Sequence, residues 1–229
     1  MIRPNALHHI AISTGDMKKQ IEYFSDVLGM ELIALYWMHG VENAWHGFMR
    51  LGDAAVAFVF LPENVGQEIE IGHTHPGNGG GPSAPGTLQH LALNVDTQAD
   101  LLAMRDRIRS RGVPVMGPIH HGLCTSIYFA GPENLVLEIS TSDQAQHPLD
   151  LDGTWIDPDV VKLAGISAEE LHAYQNPAEY ESPAEPVAQP EYDPSKPHNL
   201  YPMERYLKML ATPDDVVTAR SSIIDPPEK

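Results

Sequence analysis

The chain has 229 residues, is 42% hydrophobic and carries a formal net charge of −17 at pH 7. Its apolar content suffices for a sizeable core in one large or two small domains. The charge argues against nucleic acid, whose binders need cationic surface to displace counterions. No apolar run reaches transmembrane length, the first five residues show no secretory h-region, and one cysteine, Cys124, excludes an internal disulfide framework. A cytoplasmic protein without membrane contact is expected.

Leu7 to Ser13 reads as a strand, and Asp16 to Leu28 as a helix with Ile21, Phe24 and Leu28 at helical spacing and Gly29 as its stop. Met30 to Met38, Ala44 to Leu51 and Ala54 to Leu61 read as strands, the last two joined across Gly52-Asp53. Pro62 to Gly86 is a loop containing Gly77-Asn78-Gly79-Gly80-Gly81-Pro82; a lid carrying His73 and His75 or a plain linker would both have this composition. The pattern then repeats. Leu88 to Val95 is a strand, Ala99 to Arg111 a helix closed by Gly112, and Val113 to Pro118, Ser126 to Ala130 and Leu135 to Thr141 are strands.

The remainder does not continue the repeat. It holds 12 of the 20 prolines after residue 145 and, from Asp143, 17 acidic against 6 basic residues. Ser167-Ala168-Glu169-Glu170 has capping-box spacing, Asn176 to Pro197 should be extended, and Pro202 to Leu210 could be a last amphipathic helix. This extension is expected to wrap over its own body or a neighbouring subunit. The divisions are a first module at 1–62, a loop at 63–86, a second module at 87–142 and the extension at 143–229.

The repeat has a period of 81 residues without gaps. Leu7-His8-His9-Ile10-Ala11-Ile12 is echoed by Leu88-Gln89-His90-Leu91-Ala92-Leu93, and Gly52 to Ala57 lands on Glu133 to Glu138. His9 and His90 are therefore equivalent, while the carboxylate occurs once, as Glu138 opposite Ala57. A histidine in a strand is commonly hydrogen-bonded core. A carboxylate inside Val136-Leu137-Glu138-Ile139 needs a cation or another partner. Two histidines and one carboxylate at equivalent places suggest a three-ligand metal site with open positions.

The ensemble resembles the vicinal oxygen chelate superfamily, which includes glyoxalases, bleomycin and fosfomycin resistance proteins and extradiol ring-cleavage dioxygenases. The resemblance covers about residues 5–142. It rests on the two strand histidines, Tyr128-Phe129, Gly131-Pro132-Glu133-Asn134 and Glu138. It implies an α+β fold of two β-α-β-β-β modules whose curved sheets form a metal cleft, with His9, His90 and Glu138 as ligands. His8 is expected to face away by strand alternation. The glyoxalase-type fourth ligand has no counterpart, since Ala57 stands in its place. The two-histidine, one-carboxylate set matches the ferrous triad of the extradiol branch. Tyr128, ten residues before Glu138, matches its substrate-binding tyrosine.

That branch also has an acid/base histidine near the end of the first module, where this chain has Asp53-Ala54-Ala55-Val56. His120, sharing parity with Tyr128, and His75, from the loop, are the candidates to move protons. The resemblance thus implies an iron(II) (Fe2+) dioxygenase, with manganese, zinc or nickel as other metals. Its partners would be dioxygen and an aromatic diol, and it would be a homo-oligomer. A divalent-metal lyase, isomerase or transferase, and a metal-free ligand-sequestering protein, are the alternatives.

Overall fold

The computed structural model describes residues 2–149 and 153–221, so residues 222–229 of the extension lie outside the description. β1 (His9–Thr14) opens the first module. Asp16 caps the next helix by accepting from the Lys19 amide. α1 (Met17–Glu22) runs into a wider π-helical turn, Tyr23–Val27. β2 (Leu32–Trp37), β3 (Trp45–Leu51) and β4 (Ala54–Phe60) complete the module.

The second module is β5 (Leu91–Asn94), α2 (Gln98–Ser110), β6 (Met116–His120), β7 (Thr125–Ala130) and β8 (Val136–Thr141). Thr97 caps α2 through the Asp100 amide. The second strand of this module, β6, begins later than its apolar pattern suggests. It is an edge strand carrying Pro118, with its register shifted between Met116 and Ile119.

The two sheets have the orders β1-β4-β3-β2 and β5-β8-β7-β6. In each the first strand is parallel to the last and the other pairs are antiparallel. Ile10 lies opposite Val56 and Ala11 opposite Ala57; Leu91 lies opposite Leu137 and Ala92 opposite Glu138. The 81-residue period is thus written in the strand pairing. The fold is α+β, two like modules that share one apolar core.

Alternation sorts the faces. Ile12, Val56, Phe58, Leu137, Ile139, Ile127 and Phe129 turn to the helix side, where Phe24, Leu101 and Ile108 are buried. His9, Ala11 and Ala57, and with them Glu138, Ser126 and Tyr128, belong to the opposite faces.

Polar ties join the modules. Glu133, at a left-handed φ of 53°, accepts from Thr14 Oγ1 (2.7 Å), the Gly15 amide (2.8 Å) and Gln20 Nε2 (2.7 Å). The Arg107 guanidinium donates to the Val27 and Asp26 carbonyls, which the π-turn leaves unpaired. A side chain at Gly29 would meet that guanidinium at 2.9 Å, and its φ of 76° already favours glycine.

The extension carries α3 (Pro158–Leu163), α4 (Ala168–Gln175, with the capping box formed), α5 (Met203–Leu210) and a helix the sequence did not announce, α6 (Asp214–Ser221). Its root is anchored: Trp155 Nε1 donates to the His147 carbonyl, and its ring covers Gly122. Beyond that point no described residue is buried, and Leu163 and Leu200 are 87% and 93% exposed. The extension meets the first module at His39 and Gly40, which line a cavity together with Tyr201, Tyr206, Met209 and Leu210. The apolar side of so short a helix needs a second surface, and Tyr206 and Leu210 are partly covered.

Candidate active site

Glu138 and Tyr128 are directly opposite on β8 and β7, so their side chains share a face. The Glu138 residue is 5% exposed. Burial pushes its carboxyl upward, but the surrounding hydroxyls of Ser126, Ser140 and Tyr128, with His90, outweigh this and hold it below the ordinary carboxylate range. Ser140 Oγ donates to Oε1 at 2.6 Å, and Ser126 Oγ lies 2.9 Å from Ser140 Oγ. His90, immediately before β5, brings Nε2 to 3.0 Å from Glu138 Oε2. Tyr128 is edge-on to the His90 ring at 6.4 Å. Burial first, and the Glu138 charge second, raise its phenol above the ordinary value, so it stays a donor at neutral pH.

His120 is not beside Tyr128. It pairs with Thr125, whose hydroxyl is 2.8 Å from its Nδ1, and so occupies the other face. The expected shared parity assumed an unbroken strand. The chain instead turns at Gly122-Leu123, closed by a bond from the His121 amide to the Cys124 carbonyl, and the turn exchanges odd for even. His121 therefore faces the site, with Nε2 3.1 Å from the Tyr128 hydroxyl. A two-residue turn at Gly122 was the signal that could have found it.

His75 lines a cavity of about 320 Å³ together with His90, Gln89, Ala11 and Ser13; its Nδ1 is 2.9 Å from Thr74 Oγ1.

His9 lies elsewhere. It is exposed on β1, its ring 5.9 Å from Phe48. His8, just outside the strand, does not face away as alternation suggested: its Nδ1 is 2.8 Å from that of His9. Phe48 pairs with Ala57 and His46 with Val59, so both share the face of Ala57. Burial, then the charges of His9 and His39, lower the pKa of His46, whose buried Nδ1 has no hydrogen-bond partner.

The structure thus brings His90, Glu138, Tyr128 and His121 together and leaves His9 on the other sheet. Among the described residues, no three His, Cys, Asp or Glu side chains gather in a group able to hold a metal ion. Among the described residues, His9 stands apart from the His90–Glu138 pair. No described helix is long and apolar enough to cross a membrane.

The sequence is 25% identical over 141 residues to biphenyl-2,3-diol 1,2-dioxygenase 3 of Rhodococcus globerulus, covering 61% of this chain and 64% of that protein. It is 36% identical over 69 residues to biphenyl-2,3-diol 1,2-dioxygenase 2 of the same organism, covering 28% and 36%. It is 27% identical over 143 residues to a probable lactoylglutathione lyase of Synechocystis sp., covering 58% of this chain and 92% of that one. The chain thus spans less than two thirds of either dioxygenase. A family model matches residues 6–156, more than half of the chain and all of both sheets. The chain belongs to the Glyoxalase/Bleomycin resistance protein/Dioxygenase superfamily.

Proposed function

We propose that this chain is an extradiol-type dioxygenase that opens a catechol-like ring with dioxygen and iron(II). One observation carries the reading. A single buried carboxylate, Glu138, meets one imidazole, His90, beside a protonated phenol, Tyr128, and the equivalent place in the first module holds Ala57. Two diol dioxygenases among its relatives support it, and the superfamily generally uses divalent metals.

The third ligand, His9, is not at hand in the same chain. The reading therefore includes a second copy, whose exposed His9 meets the His90–Glu138 pair of the first. Each copy presents one histidine on one sheet and a histidine and carboxylate on the other, so two copies carry two complete sets.

The chain's own side chains have definable parts. Ser126 and Ser140 keep Glu138 anionic and fixed. Tyr128 donates its hydroxyl hydrogen to a substrate oxygen, most strongly as charge grows there. His121, at 3.1 Å from that hydroxyl, orients it and exchanges a proton with it. His46 provides an imidazole on the His9 face, filling the gap left by the missing first-module histidine.

The match over 92% of a lactoylglutathione lyase favours a second reading as a divalent-metal lyase. The discriminating experiment is oxygen uptake by the iron(II)-loaded protein with a catechol and 2,3-dihydroxybiphenyl panel. The dioxygenase reading requires stoichiometric uptake and a yellow ring-opened product. Absence of both, with anaerobic turnover of a hemithioacetal on nickel or zinc, would establish the lyase instead.

A further inference from the structure

The β2–β3 hairpin and the C-terminal extension bound a cavity of about 910 Å³, and none of His90, Glu138, Tyr128 or His121 lines it. Its walls come from His39 and Gly40 of the hairpin, Gln189 of the proline-rich segment, α5 with its flanks, and Val217 of α6. The walls are fixed by local contacts. The Met38 amide closes the hairpin on the Ala44 carbonyl at 2.8 Å, and the His39 ring lies 6.2 Å from the Tyr36 ring of β2. Opposite, three rings hold Tyr206. It is stacked with Tyr201 (6.0 Å, 19°), edge-on to Tyr192 (6.0 Å, 86°) and tilted against His198 (6.1 Å). The Tyr192 hydroxyl lies 3.4 Å from His198 Nε2, and the Arg205 guanidinium lies 5.7 Å from the Tyr201 ring centre. These are geometries that aromatic pairs favour. The aromatic wall is thus set before any ligand arrives, which lowers the ordering cost of binding.

The lining also selects by charge. In a chain of net charge −17, none of the lining residues is Asp, Glu, Lys or Arg. An ion entering the cavity would shed water with no opposite charge to replace it. The amides of Gln189 and Asn199 and the hydroxyls of Tyr201, Tyr206 and Thr212 both donate and accept without carrying charge. Met209 and Leu210 add apolar surface. Tyr201 and Met209 are 43% and 45% exposed, so the cavity opens to solvent. Its volume falls in the range of about 300–1,000 Å³ that buries small organic ligands.

We infer that this cavity is a binding site separate from Glu138, for a neutral, planar aromatic molecule of two or more rings that carries hydroxyl or carbonyl oxygens. Its rings extend the Tyr206–Tyr201 stack, and its oxygens meet the uncharged amides and hydroxyls. The extension builds the site, and the site holds whichever reaction is performed at Glu138.

The test uses the full-length protein without added metal, its methionine methyls labelled with 13C, and 2-naphthol as the probe. The probe's ring current should shift the Met209 methyl along a one-site curve, while the methyl of Met49, fully buried in the first module, stays in place. 2-Naphthoate has the same rings and a negative charge, and should bind at least about tenfold more weakly. Tyr206→Ala removes the central ring of the wall, and Leu210→Trp fills the space beside it. Each should weaken 2-naphthol about tenfold or more. Tyr180→Ala, at an exposed tyrosine of the extension that does not line the cavity, should leave the affinity unchanged. An unmoved Met209 methyl, equal affinity for the two probes, or full affinity in Tyr206→Ala or Leu210→Trp would overturn the inference. So would a Met209 signal that moves with protein concentration alone, because a second copy of the chain would then be the occupant. Should both variants fail to fold, the two probes compared on the unaltered chain decide the matter.

Discussion

His120 and His121 are neighbours in sequence and opposites in the sheet, and the site should respond to them accordingly. Tyr128→Phe removes one oriented hydroxyl and little volume. It should lower kcat about a hundredfold with fold and metal content intact. His121→Ala, which leaves that hydroxyl without its 3.1 Å partner, should cost about tenfold or more in kcat, and His120→Ala less than about twofold. Steady-state kinetics on the three variants checks the order, and equal losses for the two histidines would contradict it. Glu138 was legible because a gapless repeat sets it opposite Ala57, and Tyr128 because the family resemblance implies a tyrosine ten residues before that carboxylate. His121, Ser126 and Ser140 were not. The first depends on a turn that inverts parity. The others are ordinary polar residues until their partners, distant in sequence, are in place.

At the scale of elements, the ties between modules are the sensitive points. Glu133 gathers three donors, and one of them, Gln20, is fully buried. Glu133→Ala should cost about 2–4 kcal/mol, because charged hydrogen bonds are lost and a buried amide is orphaned. A denaturant titration showing a loss under about 1 kcal/mol would remove Glu133 from that role.

Tyr23 makes a second tie, donating to the Ala130 carbonyl at 2.6 Å, and burial pushes its phenol up to about 12 from an ordinary 10. A raised folded-state value means the proton is held more tightly in the folded chain. Its contribution is therefore complete below pH 10 and lost as the pH rises from 10 towards 12. Thermal melts across that window should fall more steeply for the wild type than for Tyr23→Phe; parallel curves would show that Tyr23 does not drive the decline. The strands, both long helices and the capping box were readable because each has a local cause, whether alternation, helical spacing or a cap. Boundaries moved where tertiary contacts intervened, as at the edge strand β6 with its register shift.

For the whole molecule, the sequence carries the modules but not how their faces meet. A repeat shows that His9 and His90 are equivalent; it does not say that one chain brings them together, because that depends on how two sheets are placed and by which copies. The extension poses the same question, with large apolar groups exposed and Trp155 bonded to the His147 carbonyl at its root. Truncation after Ile156 should accordingly leave the thermal midpoint of the body within about 3 °C. A fall of more than about 5 °C would show that α3–α6 bury surface that one chain alone does not reveal.

The most direct test is subunit complementation. His9→Ala and Glu138→Ala chains, each unable to hold iron(II) alone, are co-expressed and purified together. If the site draws His9 from one copy and His90 with Glu138 from the other, mixed dimers contain one intact site and one doubly broken site. Random pairing then restores metal content and turnover to about a quarter of wild type. A mixture no better than either parent, with mixed dimers shown to be present, would place all three ligands in one chain and contradict the shared site.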